Sequence, residues 1–113
     1  MTDLVIVLTT VPAGDVGDRL ARTLVEERLA ACVNVLAPMR SAYRWRGIVE
    51  SEAEQQLVIK TRRSLMPRLT ARLTVLHPYE LPEILMLDVA QGSEAYLAWV
   101  RESTSPDPAP TDG

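Results

Sequence analysis

Apolar residues in this chain are grouped in short runs and in periodic stripes, which predict strands and helices respectively. The aliphatic run at 4–8 (LVIVL) predicts a central strand that is covered on both faces. The run at 31–36 predicts a second strand, and Pro38 predicts a break before the next extended segment. The run at 84–89 (ILMLDV) predicts a further strand, also covered on both faces.

Stretches with apolar residues at helical spacing predict helices between these strands. The first helix is predicted to begin at a cap on Asp15 and to end near Arg28. The second is predicted to be capped by Ser64 and to end before Pro78, and a short third helix follows Ser93. Their predicted packing residues are Val16, Leu20 and Leu24; Leu65, Leu69, Leu73 and Leu76; and Tyr96, Leu97, Trp99 and Val100.

A long β-hairpin is predicted in the middle of the chain. Tyr43 and Trp45 fall on one face of an extended segment, the residues at 46–47 form a tight turn, and the return strand covers 48–61. About 14 extended residues span roughly 46 Å, whereas a domain of this length is only roughly 34 Å across. The hairpin should therefore extend beyond its own domain. Its unpaired edges favour pairing with another copy of the chain, that is, a homo-oligomer.

The element order β-α-β-β-α-β plus a C-terminal helix predicts an α+β, ferredoxin-like fold. In this fold two helices cover one face of the sheet, and the other face needs a cover. The domain is predicted to span residues 1–102. Residues 103–113 contain little that can be buried, which predicts a disordered tail.

Composition narrows the functional classes. With 113 residues and a net charge of -3, the chain suits one domain and lacks the basic surface that nucleic acid requires. The single cysteine, Cys32, cannot form an internal disulfide and stands among apolar residues, which favours a buried thiol in a reducing compartment. The apolar run near the start is too short for a signal peptide or a membrane span. We therefore expect a cytoplasmic protein without a membrane partner.

The loop at 77–83 (HPYELPE) concentrates the candidate chemistry of the chain. It holds the only histidine, His77, and two prolines that stiffen the backbone. Tyr79 and Glu80 stand between the prolines, and Glu83 follows the second one. An imidazole beside carboxylates suits metal binding or proton transfer. The alternative is structural, because His77 also falls at the C-terminal end of a predicted helix, where the helix dipole favours a positive charge.

Other polar positions allow two interpretations each. Glu50, Glu52 and Glu54 share one strand face. This face is either a solvated surface that protects the strand edge or a carboxylate cluster at a subunit boundary. Tyr43 and Trp45 suit packing between subunits. Alternatively, they line an inter-subunit cleft for a small organic or anionic ligand, with Lys60 and Tyr79 as further ligand-binding residues.

Catalysis is not predicted. Acid and base chemistry by the loop histidine with Glu80, Tyr79 or Lys60 is the enzymatic alternative. The sequence lacks a nucleophile elbow, a phosphate-binding glycine loop, a paired-histidine zinc motif and a dinucleotide fingerprint.

Five segments in order resemble the CutA divalent-cation tolerance family: 30–35 (AACVNV), 41–48 (SAYRWRGI), 58–61 (VIKT), 77–83 (HPYELPE) and 96–99 (YLAW). The resemblance extends from about Leu4 to Glu102. It implies a homotrimer related in architecture to the PII signalling trimers, and a role in tolerance to copper and other divalent cations. The alternative function is a PII-like sensor that binds a small ligand in clefts between subunits.

The resemblance also implies a weak metal site. Metal-binding relatives have a cysteine in the first strand and a second histidine beside the first, where this chain has Thr9 and Leu76. Thiolate and imidazole ligands dominate copper affinity, so their loss should weaken binding. His77 and Glu80 remain as the candidate metal ligands. We therefore expect no obligatory cofactor, only weak binding of Cu2+ or another divalent cation.

Overall fold

The computed structural model describes residues 1–106, which contain five strands and three α-helices. Their order is the predicted β-α-β-β-α-β plus a C-terminal helix, except that the second predicted strand is divided into two. The strands are β1 (Leu4–Pro12), β2 (Cys32–Val35), β3 (Met39–Trp45), β4 (Ile48–Arg62) and β5 (Leu85–Asp88). The helices are α1 (Val16–Glu26), α2 (Met66–Leu76) and α3 (Glu94–Ser103). Within residues 1–106, no helix is both long enough and apolar enough to cross a membrane.

All strand pairs are antiparallel, and the sheet order is β2-β4-β1-β5. β3 pairs with the part of β4 that extends beyond β2, so the break at Pro38 divides one sheet edge into two strands. β1 lies in the interior of the sheet, as its aliphatic run predicted. The buried core lies between the sheet and the helices α1 and α2: Val5, Val7, Val11, Leu20, Leu24, Leu57, Ile59, Leu69 and Leu73 are among its residues. The fold is α+β and ferredoxin-like.

The predicted long hairpin is present. Arg46 and Gly47 both have positive φ (51° and 83°) and join Trp45 to its cross-strand partner Ile48. β4 has 15 residues, and its first part pairs with β3 alone because β1 ends opposite Glu54. The chain measures 59 × 33 × 24 Å, so the hairpin extends beyond the compact body.

The sheet face opposite α1 and α2 is only partly covered. α3 packs over one end of this face through Leu97 and Val100. On the rest of the face, Ile6 pairs with Leu87 and Leu8 with Leu85. The side chains of Leu85 and Leu87 remain 53% and 50% exposed. The prediction that β5 is covered on both faces is therefore wrong for the single chain, since all four of its residues are exposed.

Several local predictions were wrong at the element ends. Asp15 occupies the predicted N-cap position of α1, but its side chain makes no capping hydrogen bond and instead lies 3.6 Å from Arg19. Ser64 lies within a 3-10 turn, and Leu65 occupies the cap position of α2. Ser93, in contrast, does cap α3 by accepting a hydrogen bond from the Tyr96 amide at 3.4 Å.

The ordered part of the domain extends further than Glu102. α3 includes Ser103, and Thr104 is buried. The Arg62 guanidinium donates to the Thr104 hydroxyl at 2.9 Å and to its carbonyl at 2.8 Å. These bonds were missed because a threonine outside an apolar stripe gives no burial signal. The rest of the predicted tail, residues 107–113, lies outside the described residues.

Candidate functional site

A cleft of about 880 Å³ lies between the β3–β4 hairpin and the loop that follows α2. Four of the predicted site residues line it together: Tyr43, Trp45, Tyr79 and Glu80. The hairpin contributes the first two, and the stiff loop contributes the other two. Its remaining lining residues include Thr10, Arg44, Glu54, Glu83 and Leu85.

Lys60, predicted as a ligand-binding residue, does not line this cleft. Its ammonium lies 6.0 Å from the centre of the Tyr96 ring, on the part of the sheet near α3. Cys32, which was predicted to be buried, is the cross-strand partner of Lys60 and is half-buried in the single chain. Neither side chain therefore contributes to the chemistry of the cleft.

Glu54 is the buried carboxylate of the cleft, with only 6% of the residue exposed. The sequence left Glu54, with Glu50 and Glu52, either on a solvated strand face or in a carboxylate cluster at a subunit boundary. Glu50 and Glu52 are less buried than Glu54. The difference arises because Glu54 is flanked by Pro12 of β1 on one side and by Met39 of β3 on the other. The sequence carried no signal for this burial, because the predicted run of β1 stops at Leu8 and the strand continues to Pro12.

Tyr79 provides the hydrogen bond that the buried carboxylate needs. Its hydroxyl donates to Oε2 of Glu54 at 2.7 Å. The pKa of the Tyr79 phenol is raised, first by burial and then by this hydrogen bond to the carboxylate. Tyr79 is therefore a neutral donor to the buried Glu54 side chain.

His77 lies behind the cleft and ends α2 in extended conformation, as Pro78 predicted. Its Nε2 lies 2.9 Å from the carbonyl oxygen of Thr10, which can only accept, so Nε2 carries the proton. Nδ1 accepts the Tyr79 amide hydrogen at 3.1 Å. The pKa of His77 is lowered because burial outweighs the favourable effects of the Thr10 carbonyl and Glu54. A neutral imidazole with both nitrogens engaged is the result.

Metal coordination by the predicted ligands therefore requires rearrangement. His77 would have to release the Thr10 carbonyl or the Tyr79 amide. Glu80 is exposed and accepts a hydrogen bond from Arg46 at 3.1 Å. No group of three or more His, Cys, Asp or Glu side chains within residues 1–106 is arranged to hold a metal ion. These contacts leave His77 and Glu80 as predicted ligands of a weak or subunit-bridging site.

Comparison with known proteins identifies the family. The family described as CutA1 divalent ion tolerance protein matches residues 5–103. The divalent-cation tolerance protein CutA of Thermus thermophilus is 48% identical over 99 residues, covering 88% of this chain and 96% of that protein. The chloroplastic protein CutA of Arabidopsis thaliana is 43% identical and matches over 88% of this chain, which corresponds to 55% of that protein.

Solved structures agree with the sequence relatives. The structure of the divalent cation tolerance protein Cut A1 from Thermus thermophilus has a TM-score of 0.87 at 46% identity, covering 90% of this chain and 99% of that chain. The CutA structure from Xylella fastidiosa has a TM-score of 0.89 at 38% identity, covering 92% and 100% of the two chains. On these matches, the chain belongs to the CutA1 divalent ion tolerance protein family.

Proposed function

We propose that this protein acts in tolerance to divalent cations, chiefly copper, as a cytoplasmic homotrimer that catalyses no reaction. The observation that carries the proposal is the family match over residues 5–103, together with relatives named for divalent-cation tolerance. The lack of recognised catalytic motifs in the sequence supports a non-enzymatic role. The single cysteine is the argument for the reducing cytoplasm.

The proposed trimer rests on surfaces that the single chain leaves open. Leu85 and Leu87 expose about half of their surface next to Ile6 and Leu8. Contiguous apolar surface of this kind is typical of an interface between subunits. The overhanging part of β4 also needs a partner, because a single hairpin has little stability of its own.

The proposed cation site uses His77 and Glu80, with weak binding. Glu80 is accessible, and its exposed pair with Arg46 contributes at most about 1 kcal/mol, so a cation can displace the guanidinium. His77 binds only after giving up one of its two hydrogen bonds. Symmetry between subunits would supply the remaining ligands.

A calorimetric Cu(II) titration of the folded protein tests this proposal. We expect saturable binding that is lost in His77→Ala and weakened in Glu80→Gln. Glu102→Gln, which removes an exposed carboxylate outside the cleft, should bind as the native chain does. Binding that is absent, or unchanged in His77→Ala, would reject direct coordination at this site.

The cleft favours a second candidate function, the binding of a small organic ligand by a PII-like trimer. Its volume of about 880 Å³ is within the usual range of small-molecule sites. The two functions would share Glu80, which lines the cleft, whereas His77 belongs to the proposed cation site alone, so His77→Ala separates them.

A further inference from the structure

We propose that the cleft between the β3–β4 hairpin and the loop after α2 binds a small organic cation with an amine or guanidinium group. Glu54 provides the anchoring charge, and the rings of Tyr43, Trp45 and Tyr79 provide the walls. This inference names a ligand class for the small-ligand candidate function. It shares Glu80 with the proposed cation site but does not use His77, so the two proposals can fail separately.

The charge of the lining favours a cation over an anion. Its charged residues are three carboxylates, Glu54, Glu80 and Glu83, and one guanidinium, Arg44. The guanidinium of Arg44 donates to the Gly47 carbonyl in the hairpin turn at 3.3 Å. The lining therefore has a negative balance, and its most buried member is a carboxylate.

Glu54 is the most buried acidic side chain of the cleft lining. A buried carboxylate is stabilised when several donors or an opposite charge compensate for its lost hydration. Glu54 accepts a hydrogen bond from the hydroxyl of Tyr79, which is a neutral donor. The charge also acts on Tyr43, whose phenol pKa is raised by burial first and then by Glu52, Glu50 and Glu54. A cation in the cleft would neutralise this field.

The arrangement of the carboxylates favours an extended organic cation over a metal ion. Within residues 1–106, no three acidic, histidine or cysteine side chains converge as a metal ion requires. The cleft lining combines its carboxylates with three aromatic rings, those of Tyr43, Trp45 and Tyr79. Amines and guanidinium groups bind aromatic faces and carboxylates together, whereas a hydrated divalent ion needs clustered oxygens.

Arg46 already shows this recognition at the rim of the cleft. Its guanidinium lies 5.3 Å from the centre of the Trp45 ring and donates to Glu80 at 3.1 Å. Trp45 and Glu80 both line the cleft. A guanidinium of the chain itself therefore contacts one aromatic ring and one carboxylate of the lining. A ligand with the same group can make contacts of the same kind with Glu54 and the neighbouring rings.

Agmatine, which carries a guanidinium and an amine, is a suitable probe. We expect saturable calorimetric binding to the full chain in the presence of a metal chelator, which excludes the proposed metal site from the signal. Glu54→Gln keeps an acceptor for the Tyr79 hydroxyl but removes the charge, and should weaken binding about tenfold to a hundredfold. Arg46→Ala frees Trp45 and Glu80 and should bind more tightly.

Glu102→Gln is the matched control, since it removes one carboxylate outside the cleft and should leave agmatine affinity unchanged. Tyr43→Leu removes an aromatic wall and should weaken binding without changing the net charge. The far-ultraviolet circular dichroism of each variant checks that it is folded. No saturable agmatine binding, equal affinities of Glu54→Gln and Glu102→Gln, or tighter binding of the anion citrate would overturn the proposal. A failure of the protein to bind Cu(II) would overturn the proposed cation site but not the agmatine site.

Discussion

Thr9 shows how one buried hydroxyl can weaken the core. The residue is fully buried in β1, and its Oγ1 has no hydrogen-bond partner among the described residues. A buried polar group without a partner costs about 1–3 kcal/mol. We expect Thr9→Val, which keeps the shape and removes the polar atom, to raise the free energy of unfolding by about 1 kcal/mol in urea denaturation.

Thr61 provides the control for Thr9. It is equally buried, but its hydroxyl donates to the Leu29 carbonyl at 2.7 Å. Thr61→Val should therefore lower the free energy of unfolding by about 1 kcal/mol, since it leaves that carbonyl without its donor. Effects of the same sign at both positions would contradict the hydrogen-bond assignment.

His77 makes stability depend on pH. Its pKa in the folded chain is lowered from 6.5, mainly by burial, so the unfolded chain takes up the proton first as pH falls. The stabilisation is fully present above the unfolded value and is lost between that value and the lowered folded pKa. We expect the free energy of unfolding, measured in urea, to fall by at most about 1.4 kcal/mol per pH unit in this window.

His77→Gln is the test of that assignment. The glutamine amide can still donate a hydrogen bond but does not titrate near neutral pH. The free energy of unfolding of His77→Gln should therefore be lower than that of the native chain at neutral pH, but nearly constant between about pH 7.5 and 5.5. An identical slope in both proteins would assign the pH dependence to other groups.

The residue scale also marks the limit of sequence reasoning. The extended backbone of His77 was predictable because Pro78 restricts it locally. The burial of Glu54 was not, because it depends on where β1 ends on a neighbouring strand. Local constraints can be read from the chain, whereas flanking by distant strands requires the register.

At the scale of elements, the hairpin turn is the most constrained connection. Gly47 has a φ of 83°, a conformation that is unfavourable for residues with a Cβ atom. An added Cβ would meet nothing within 4 Å, so the cost of substitution is confined to the backbone. We expect Gly47→Ala to lower the free energy of unfolding by about 1 kcal/mol.

Gly47→Asn separates backbone conformation from side-chain size. Asparagine is larger than alanine but tolerates positive φ better, so it should lose less stability than Gly47→Ala in the same urea measurement. A greater loss with asparagine would point to a steric clash in the assembled protein.

Element existence was predicted better than element ends. The stripe containing Leu69 and Leu73 correctly predicted α2, since burial of an apolar face stabilises a helix along its whole length. Its cap on Ser64 was wrong because a 3-10 turn precedes the helix. Tyr96 and Trp99 were predicted to pack, and their rings do contact each other, with centres 5.5 Å apart, but they remain 43% and 44% exposed.

At the scale of the whole molecule, the uncovered sheet face should control assembly. If Leu87 is buried between subunits, Leu87→Glu places an unpaired charge in that interface. Such a charge costs about 3–5 kcal/mol per subunit, which should shift the native mass from a trimer toward a single chain. Native mass spectrometry of the substituted protein measures this shift directly.

Val75→Glu distinguishes an interface effect from the general effect of a surface carboxylate. Val75 is 74% exposed on α2, on the opposite side of the sheet from Leu87, which is 50% exposed. The proposed trimer therefore retains its mass in Val75→Glu and loses it in Leu87→Glu. If Leu87→Glu keeps the native mass, the face formed by β1 and β5 is not the interface. Dissociation by Val75→Glu would instead assign the interface to the helical side, because only a buried position converts one added charge into loss of assembly.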